Sequence, residues 1–367
     1  MNKVNKNLLE FLKREPYSKL RSIAKYDINS LIRALNWAAA NEILEAFYEL
    51  GLDKTLSRPR STMEVAFEHY IVEVDFLREI LISLVKLGIL DEAAGRFKIR
   101  FFKRKIKKPE IVDIFSKTPL RAVFEVIKLM GESIVDLLLT GKPELDWIKD
   151  AAIAFEPLEF SPQMVRLRLV ACDFAYRYIS NVLKIENKRE PLILITGLAS
   201  GFGIVNVAQY FRNIDSTIVA VDPSEREVNL ARELLEEFNL SVDIEICDIL
   251  KNLAKIPYIN KTISDKGHFS LAMAFERWRF FDDVQRSQIL TNLAYCLAVY
   301  GSLVDLSFTK NQAMILNTLL YTIKGWRGYL DINEKRRLFG LVFQRLKERN
   351  NKIIVKADMP LVRGLWL

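Results

Sequence analysis

Histidine and cysteine are scarce in this chain, with two histidines and three cysteines in 367 residues. Cys172, Cys247 and Cys296 lie far apart in apolar or helical surroundings, and no two share the close spacing of a metal knuckle. With only His69 and His268 beside them, neither a zinc site nor a disulfide framework is expected. Long apolar runs are also missing, and none approaches the ~20 residues of a membrane helix. The opening stretch MNKVNKNLLEFLKREP is charged throughout and holds no signal-peptide core, so the expected location is the cytoplasm. There is no low-complexity tract and no internal repeat. Apolar side chains, in contrast, are abundant. Half of the residues are hydrophobic and 11% are aromatic, which excludes a disordered chain and allows a sizeable core in two or three domains.

Positive charge exceeds negative by eight, partly through RFKIRFFKRKIKK at 96–108. Such a cluster can contact phosphates. It also suits a solvated β-hairpin edge, where lysines block edge-to-edge pairing, and the Lys, Glu and Ile content suits a heat-adapted surface. The solvated edge is the preferred reading, and no specific nucleic-acid binding is expected.

The most informative stretch is residues 191–227, PLILITGLASGFGIVNVAQYFRNIDSTIVAVDPSERE. An apolar run meets a turn carrying Gly197, Gly201 and Gly203, a helical pattern follows, and a second apolar run ends on Asp222. Glycines let backbone approach a ligand closely, and the helix start behind them offers free N–H groups. An acid about 20 residues past the turn suits the hydroxyls of a ribose. Ser224 and Glu227 form a capping box for the next helix. An ordinary strand–helix–strand unit, with glycines that serve packing alone, is the alternative.

The turn resembles motif I of class I S-adenosylmethionine (SAM) methyltransferases, an acid-x-Gly-x-Gly-x-Gly run. Here the window reads Ile195-Thr196-Gly197-Leu198-Ala199-Ser200-Gly201: the first and third glycines are present, Ile195 replaces the acid and Ala199 the middle glycine. No register supplies the G-x-G-x-x-G of a dinucleotide site. The resemblance implies that Gly197, Ala199 and Gly201 lie under SAM and that Asp222 takes its ribose. Asp248, closing EICDIL, would then stand near the adenine. Either acid could instead cap the following helix.

Three regions are expected. Residues 1–108 read as a helix near 28–50, a short second helix capped by Ser61 and Glu64, and a third near 75–87, followed by a hairpin turning near Ala94-Gly95, which is the order of a winged helix. The outward positions of the third helix, Arg78, Glu79, Ser83 and Lys86, are a thin set for reading bases. NWAAANEILEAFYELGLDKTL and LREILISLVKLGILDEAAGRFKI resemble the dimerisation module of small-molecule O-methyltransferases, implying a homodimer. The large apolar faces of helices 28–50 and 75–87 also suggest an interface. Residues 109–187 read as helices, with LLLTGKPELDW resembling the family connector. Trp147, Phe155, Phe160, Met164 and Phe174 there could wall a pocket or simply form core.

Residues 188–367 alternate strand and helix, with strands near 191–196, 217–222, 242–247, 269–275, 302–308, 352–357 and 361–367. The fold class is therefore α/β, and the seven strands resemble the Rossmann-like sheet of the class I methyltransferases, here preceded by an all-α winged-helix-like domain. In the fourth strand, FERWRFFDD resembles the family's L-H-x-W segment, with Phe275 and Trp278 in the Leu and Trp places and Glu276 where the catalytic histidine stands. Glu276 is a general base if desolvation raises its pKa, or half of an ion pair with Arg277 or Arg279. The expected activity is methyl transfer from SAM to a small, hydroxylated acceptor. The alternative is a non-catalytic regulatory protein whose degenerate SAM pocket accompanies a winged helix contacting DNA or a protein.

Overall fold

The structure, a computed structural model, describes residues 17–101, 105–185, 190–198, 201–212, 214–275 and 278–340. These form two compact units. Residues 22–158 and 309–329 make one; residues 159–308, with 17–21 and 330–340, make the other. This division differs from the three segments read in the sequence. Residues 109–158 belong with the first module, residues 159–185 belong with the sheet, and a late segment returns to the first unit.

The first unit begins with α1 (Ile28–Glu49), whose first turn is capped by Asp27 accepting from the Ser30 N–H at 2.8 Å. Helix α2 (Thr62–Glu68) opens on the expected capping box, here formed by Ser61 and Glu64. Helix α3 (Val74–Lys86) stops before Gly88, whose φ is +70°. Strands β2 (Leu90–Ala93) and β3 (Arg96–Ile99) are joined through Ala94 and Gly95, both with positive φ, as a two-residue hairpin turn requires. A short strand β1 (Arg60–Ser61) pairs with the other side of β3. Arg96 and Lys98 therefore lie on the central strand of three, and the hairpin-edge reading of these residues is corrected.

The apolar faces that suggested a dimer interface are covered within this unit. Leu31, Leu35, Ala39, Ile43 and Phe47 of α1 are buried, packed by α4 (Arg121–Glu132) and by the short helix Met314–Leu319. The same short helix covers α3. Ser83 Oγ lies 2.9 Å from Thr318 Oγ1, and Lys310 donates to Glu79 at 3.0 Å. Two of the four positions read as outward on the third helix are thus occupied, leaving Arg78 and Lys86 exposed.

In the second unit five parallel strands are described: β4 (Leu192–Thr196), β5 (Thr217–Asp222), β6 (Asp243–Ile246), β7 (Phe269–Phe275) and β8 (Leu297–Leu306), in the order β6-β5-β4-β7-β8. Four match their expected positions. The fifth starts five residues before the expected 302, with a register shift opposite Phe269–Leu271. The expected strands at 352–357 and 361–367 lie outside the described residues. Both faces of the sheet are covered, as parallel sheets require: Leu194, Val219, Ala272 and Ala274 pack with Ile289, Leu293 and Phe339, while Ile195, Ala220 and Met273 on the alternate face are equally buried.

All three cysteines are free and buried. Burial pushes the Cys247 thiol up to about 11 and the Cys296 thiol to about 12, which suppresses their reactivity. Among the described residues no cluster of His, Cys, Asp and Glu suits a metal, and no helix is long and apolar enough to cross a membrane.

Candidate functional site

Parallel strands put their carboxyl ends on one edge, and the order β6-β5-β4-β7-β8 reverses direction at β4, where ligands of such sheets bind. Register fixes what meets there. Thr196 pairs with Val221 on one side and Ala274 on the other, Asp222 pairs with Ile246, and Ala274 pairs with Asp305. Gly197, Asp222, Phe275 and Asp305 consequently share the carboxyl edge.

Gly197 follows β4 at φ +85°, and Gly201 precedes α5 (Phe202–Phe211) at φ +78°. Both conformations are in the left-handed region that favours glycine. Ala199 between them lies outside the described residues. The small size of Gly201 serves packing: a Cβ there would lie 2.9 Å from Ala231 Cα and 2.8 Å from Leu234 Cδ1 of helix α6 (Glu225–Glu237). Gly203 is equally constrained, because its Cβ would meet Phe275 at 2.9 Å and the Leu198 carbonyl oxygen at 3.1 Å.

Asp222 ends β5 and is 1% exposed. Its Oδ2 accepts from the Leu198 N–H at 3.1 Å, and its Oδ1 from the Ser224 N–H at 2.9 Å. The carboxylate therefore ties the glycine turn to the start of α6. Ser224 caps α6 through the Glu227 N–H at 3.4 Å, whereas the Glu227 carboxylate pairs with Arg226 at 2.9 Å.

Asp248 stands two residues beyond β6, exposed, with Oδ1 accepting from the Leu250 N–H at 3.0 Å. That is a local turn contact of the kind aspartate commonly makes. Ile195 is fully buried within β4, and an acid in its place would have to enter the sheet's core. Glu276 lies outside the described residues. His268 precedes β7, at the sheet's opposite edge.

Two polar clusters escaped the sequence reading. At the β8 exit, Asp305 Oδ1 accepts from the Trp278 indole N–H at 2.6 Å and Oδ2 from the Lys335 ammonium at 2.9 Å. Lys335 also donates to Ser307 Oγ at 2.6 Å, and both charged side chains are 1% exposed. Arg286 Nε donates to the Trp278 carbonyl at 2.9 Å, so the chain just past β7 is held on two sides. Asp305 could have been suspected as an acid ending a strand, but nothing in the sequence marks Lys335 as its partner. Behind α5, the buried Arg168 pairs with Glu159 and donates to Asn206 Oδ1 at 3.4 Å. The proposed pocket aromatics divide into two groups. Trp147 packs on Phe155 and Trp326 in the first unit, while Phe160 packs on Phe202, with ring centroids 4.4 Å apart, in the second.

Comparison with solved structures identifies this arrangement. The CurJ carbon methyltransferase matches with a TM-score of 0.61 and 13% identity over 93% of this chain and 90% of its own. The carbon methyltransferase (CMeT) domain of the citrinin polyketide synthase gives 0.61 and 12% over 93% and 88%. For the DszA carbon methyltransferase the values are 0.56 and 14% over 100% and 89%. The fold is that of the class I methyltransferases. No protein-family model and no curated protein matches the sequence. In this methyltransferase fold the first strand is β4, and the glycine turn and Asp222 stand at the ends of its first two strands.

Proposed function

We propose that the chain transfers a methyl group from SAM to a small acceptor. The observation that carries the proposal is the meeting of the Gly197 turn and Asp222 at the switch point of a methyltransferase sheet. The residues fit the cofactor. Asp222 offers only acceptors, as ribose hydroxyls need, and the buried Thr196 Oγ1 at the strand exit has no hydrogen-bond partner among the described residues. Gly197 would allow close approach of the backbone, and Asp248 would contact the adenine.

When bound, SAM supplies an electrophilic methyl carbon on a sulfonium, so much of the catalysis is positioning of the acceptor. The Asp305–Lys335 pair holds the Trp278 side chain beyond β7. Glu276 would accept the acceptor's proton through a carboxylate oxygen. The hydroxyl acceptor expected from the sequence is one class. A carbon acceptor is the second, favoured by the carbon methyltransferases among the matching structures. The winged-helix order of α1, α2, α3 and the β2–β3 hairpin is proposed as a packing module, because α3 is covered where a recognition helix would be open. Incubation with labelled SAM and a panel of phenols and β-keto thioesters tests the reading. Label in a phenol ether supports oxygen transfer, label on carbon supports the second class, and no transfer to any acceptor argues for the non-catalytic alternative.

A further inference from the structure

Helix α2 is apolar on two sides. Val65 and Ala66 are buried, while Met63 and Phe67, four residues apart, are 65% and 87% exposed. Tyr70 continues the stripe at 86%, and Val72 follows at 63%. Large side chains at i, i+4 and i+7 form a packing face on a helix. Here that face is turned to solvent.

Tyr70 is kept there against its backbone preference. Its φ is +55°, which crowds Cβ against the following carbonyl. The helix ends with the Ile71 N–H donating to the Ala66 carbonyl at 2.8 Å and the Tyr70 N–H to Phe67 at 3.4 Å. This is a Schellman ending, in which glycine is the usual residue at the Tyr70 position. Glycine would relieve the backbone and remove the exposed ring.

The surroundings select the occupant. Residues 62–75 contain Glu64, Glu68, Glu73 and Asp75 and no lysine or arginine, within a chain of net charge +8. Arg96 and Arg60 approach Glu64 and Glu68 at 2.7 and 3.9 Å, but Glu73 and Asp75 have no ion pair among the described residues. Phosphodiesters and anionic headgroups are repelled by such a rim. A twofold contact of the patch with itself would set the same carboxylates against one another. A helix with an apolar face flanked by lysine or arginine satisfies both the stripe and its rim.

We infer that Met63, Phe67, Tyr70 and Val72 form a docking surface for a basic amphipathic helix of a partner protein. The probe is a fluorescein-labelled leucine–lysine amphipathic peptide, titrated with the full chain and followed by fluorescence anisotropy. A leucine–glutamate peptide of the same pattern is the comparison. The lysine peptide binds the parent; Phe67→Ser and Tyr70→Gly each weaken it about tenfold or more, the loss expected of a central aromatic contact. Tyr70→Gly also raises the melting temperature by about 2–4 °C, a gain that a merely structural tyrosine would not give. Equal binding of both peptides, or unchanged binding by the two variants, overturns the inference. So does a lower melting temperature for Tyr70→Gly. A parent dimer that Phe67→Ser converts to monomer assigns the face to a second copy instead, and phosphatidylserine vesicle binding lost in Phe67→Ser assigns it to a membrane.

Discussion

Replacing Asp222 by alanine removes the acceptor for one buried amide, that of Leu198, and one partly buried amide, that of Ser224. A buried donor stripped of its partner costs about 1–3 kcal/mol and a partly buried one, which water can reach, costs less, so the pair sums to roughly 2–4 kcal/mol. Against a total stability of about 5–15 kcal/mol this is a large fraction. Asp222→Asn keeps one carbonyl oxygen but turns an amide N–H toward the second donor, so it should lose roughly half as much. Equilibrium urea unfolding followed by circular dichroism should therefore rank the proteins parent, then Asn, then Ala. Amide hydrogen exchange at Leu198 should accelerate most in the alanine variant. If Asp222→Ala unfolds within about 0.5 kcal/mol of the parent, the carboxylate does not hold the glycine turn and the reasoning fails.

Gly201→Ala meets both a left-handed φ and the backbone of Ala231, and should cost about 2–5 kcal/mol in the same unfolding assay. Lys335→Met leaves Asp305 buried without its cation; a loss of about 3–5 kcal/mol is expected, and Asp305→Asn in the same chain should recover part of it. Glu42 is raised to about 7 by burial and then by Glu45, with Lys128 opposing. A folded-state pKa above the unfolded value means the folded chain holds the extra proton between about pH 4.5 and 7, so this group's contribution falls as pH rises through that window. Thermal melts of Glu42→Gln should match the parent near pH 4.5 and exceed it by about 1–2 kcal/mol at pH 8, after discounting the shift for partial solvent screening.

The elements were legible where local chemistry specifies them. The Ser61–Glu64 box, the Ala94-Gly95 turn, and the spacing from Gly197 to Asp222 each follow from short-range rules, and their elements stand within a residue or two of expectation. What stayed hidden depends on chain segments far apart. The internal cover of the apolar faces of α1 and α3 was not legible, because residues 309–329, which pack on α3 and, together with α4, on α1, read merely as part of a later domain. At Gly201 the sequence marks a position that needs a small residue, but not the close approach of Ala231 and Leu234 that requires it. Asp305 and Lys335 are thirty residues apart on different elements, so no spacing rule joins them. Ala199 and Glu276, two of the residues on which the chemistry was expected to turn, lie outside the described residues.

Isothermal titration of the full chain with SAM, repeated with its demethylated product, tests the central claim most directly. The account predicts one site per chain for both ligands in the micromolar range, equivalent to about −8 kcal/mol at 1 μM. Asp222→Asn should weaken both by about tenfold to a hundredfold, the worth of a charged acceptor. Absence of saturable heat with either ligand, from a chain shown to be folded, would contradict the assignment of the glycine turn and Asp222 to a methyl-donor site.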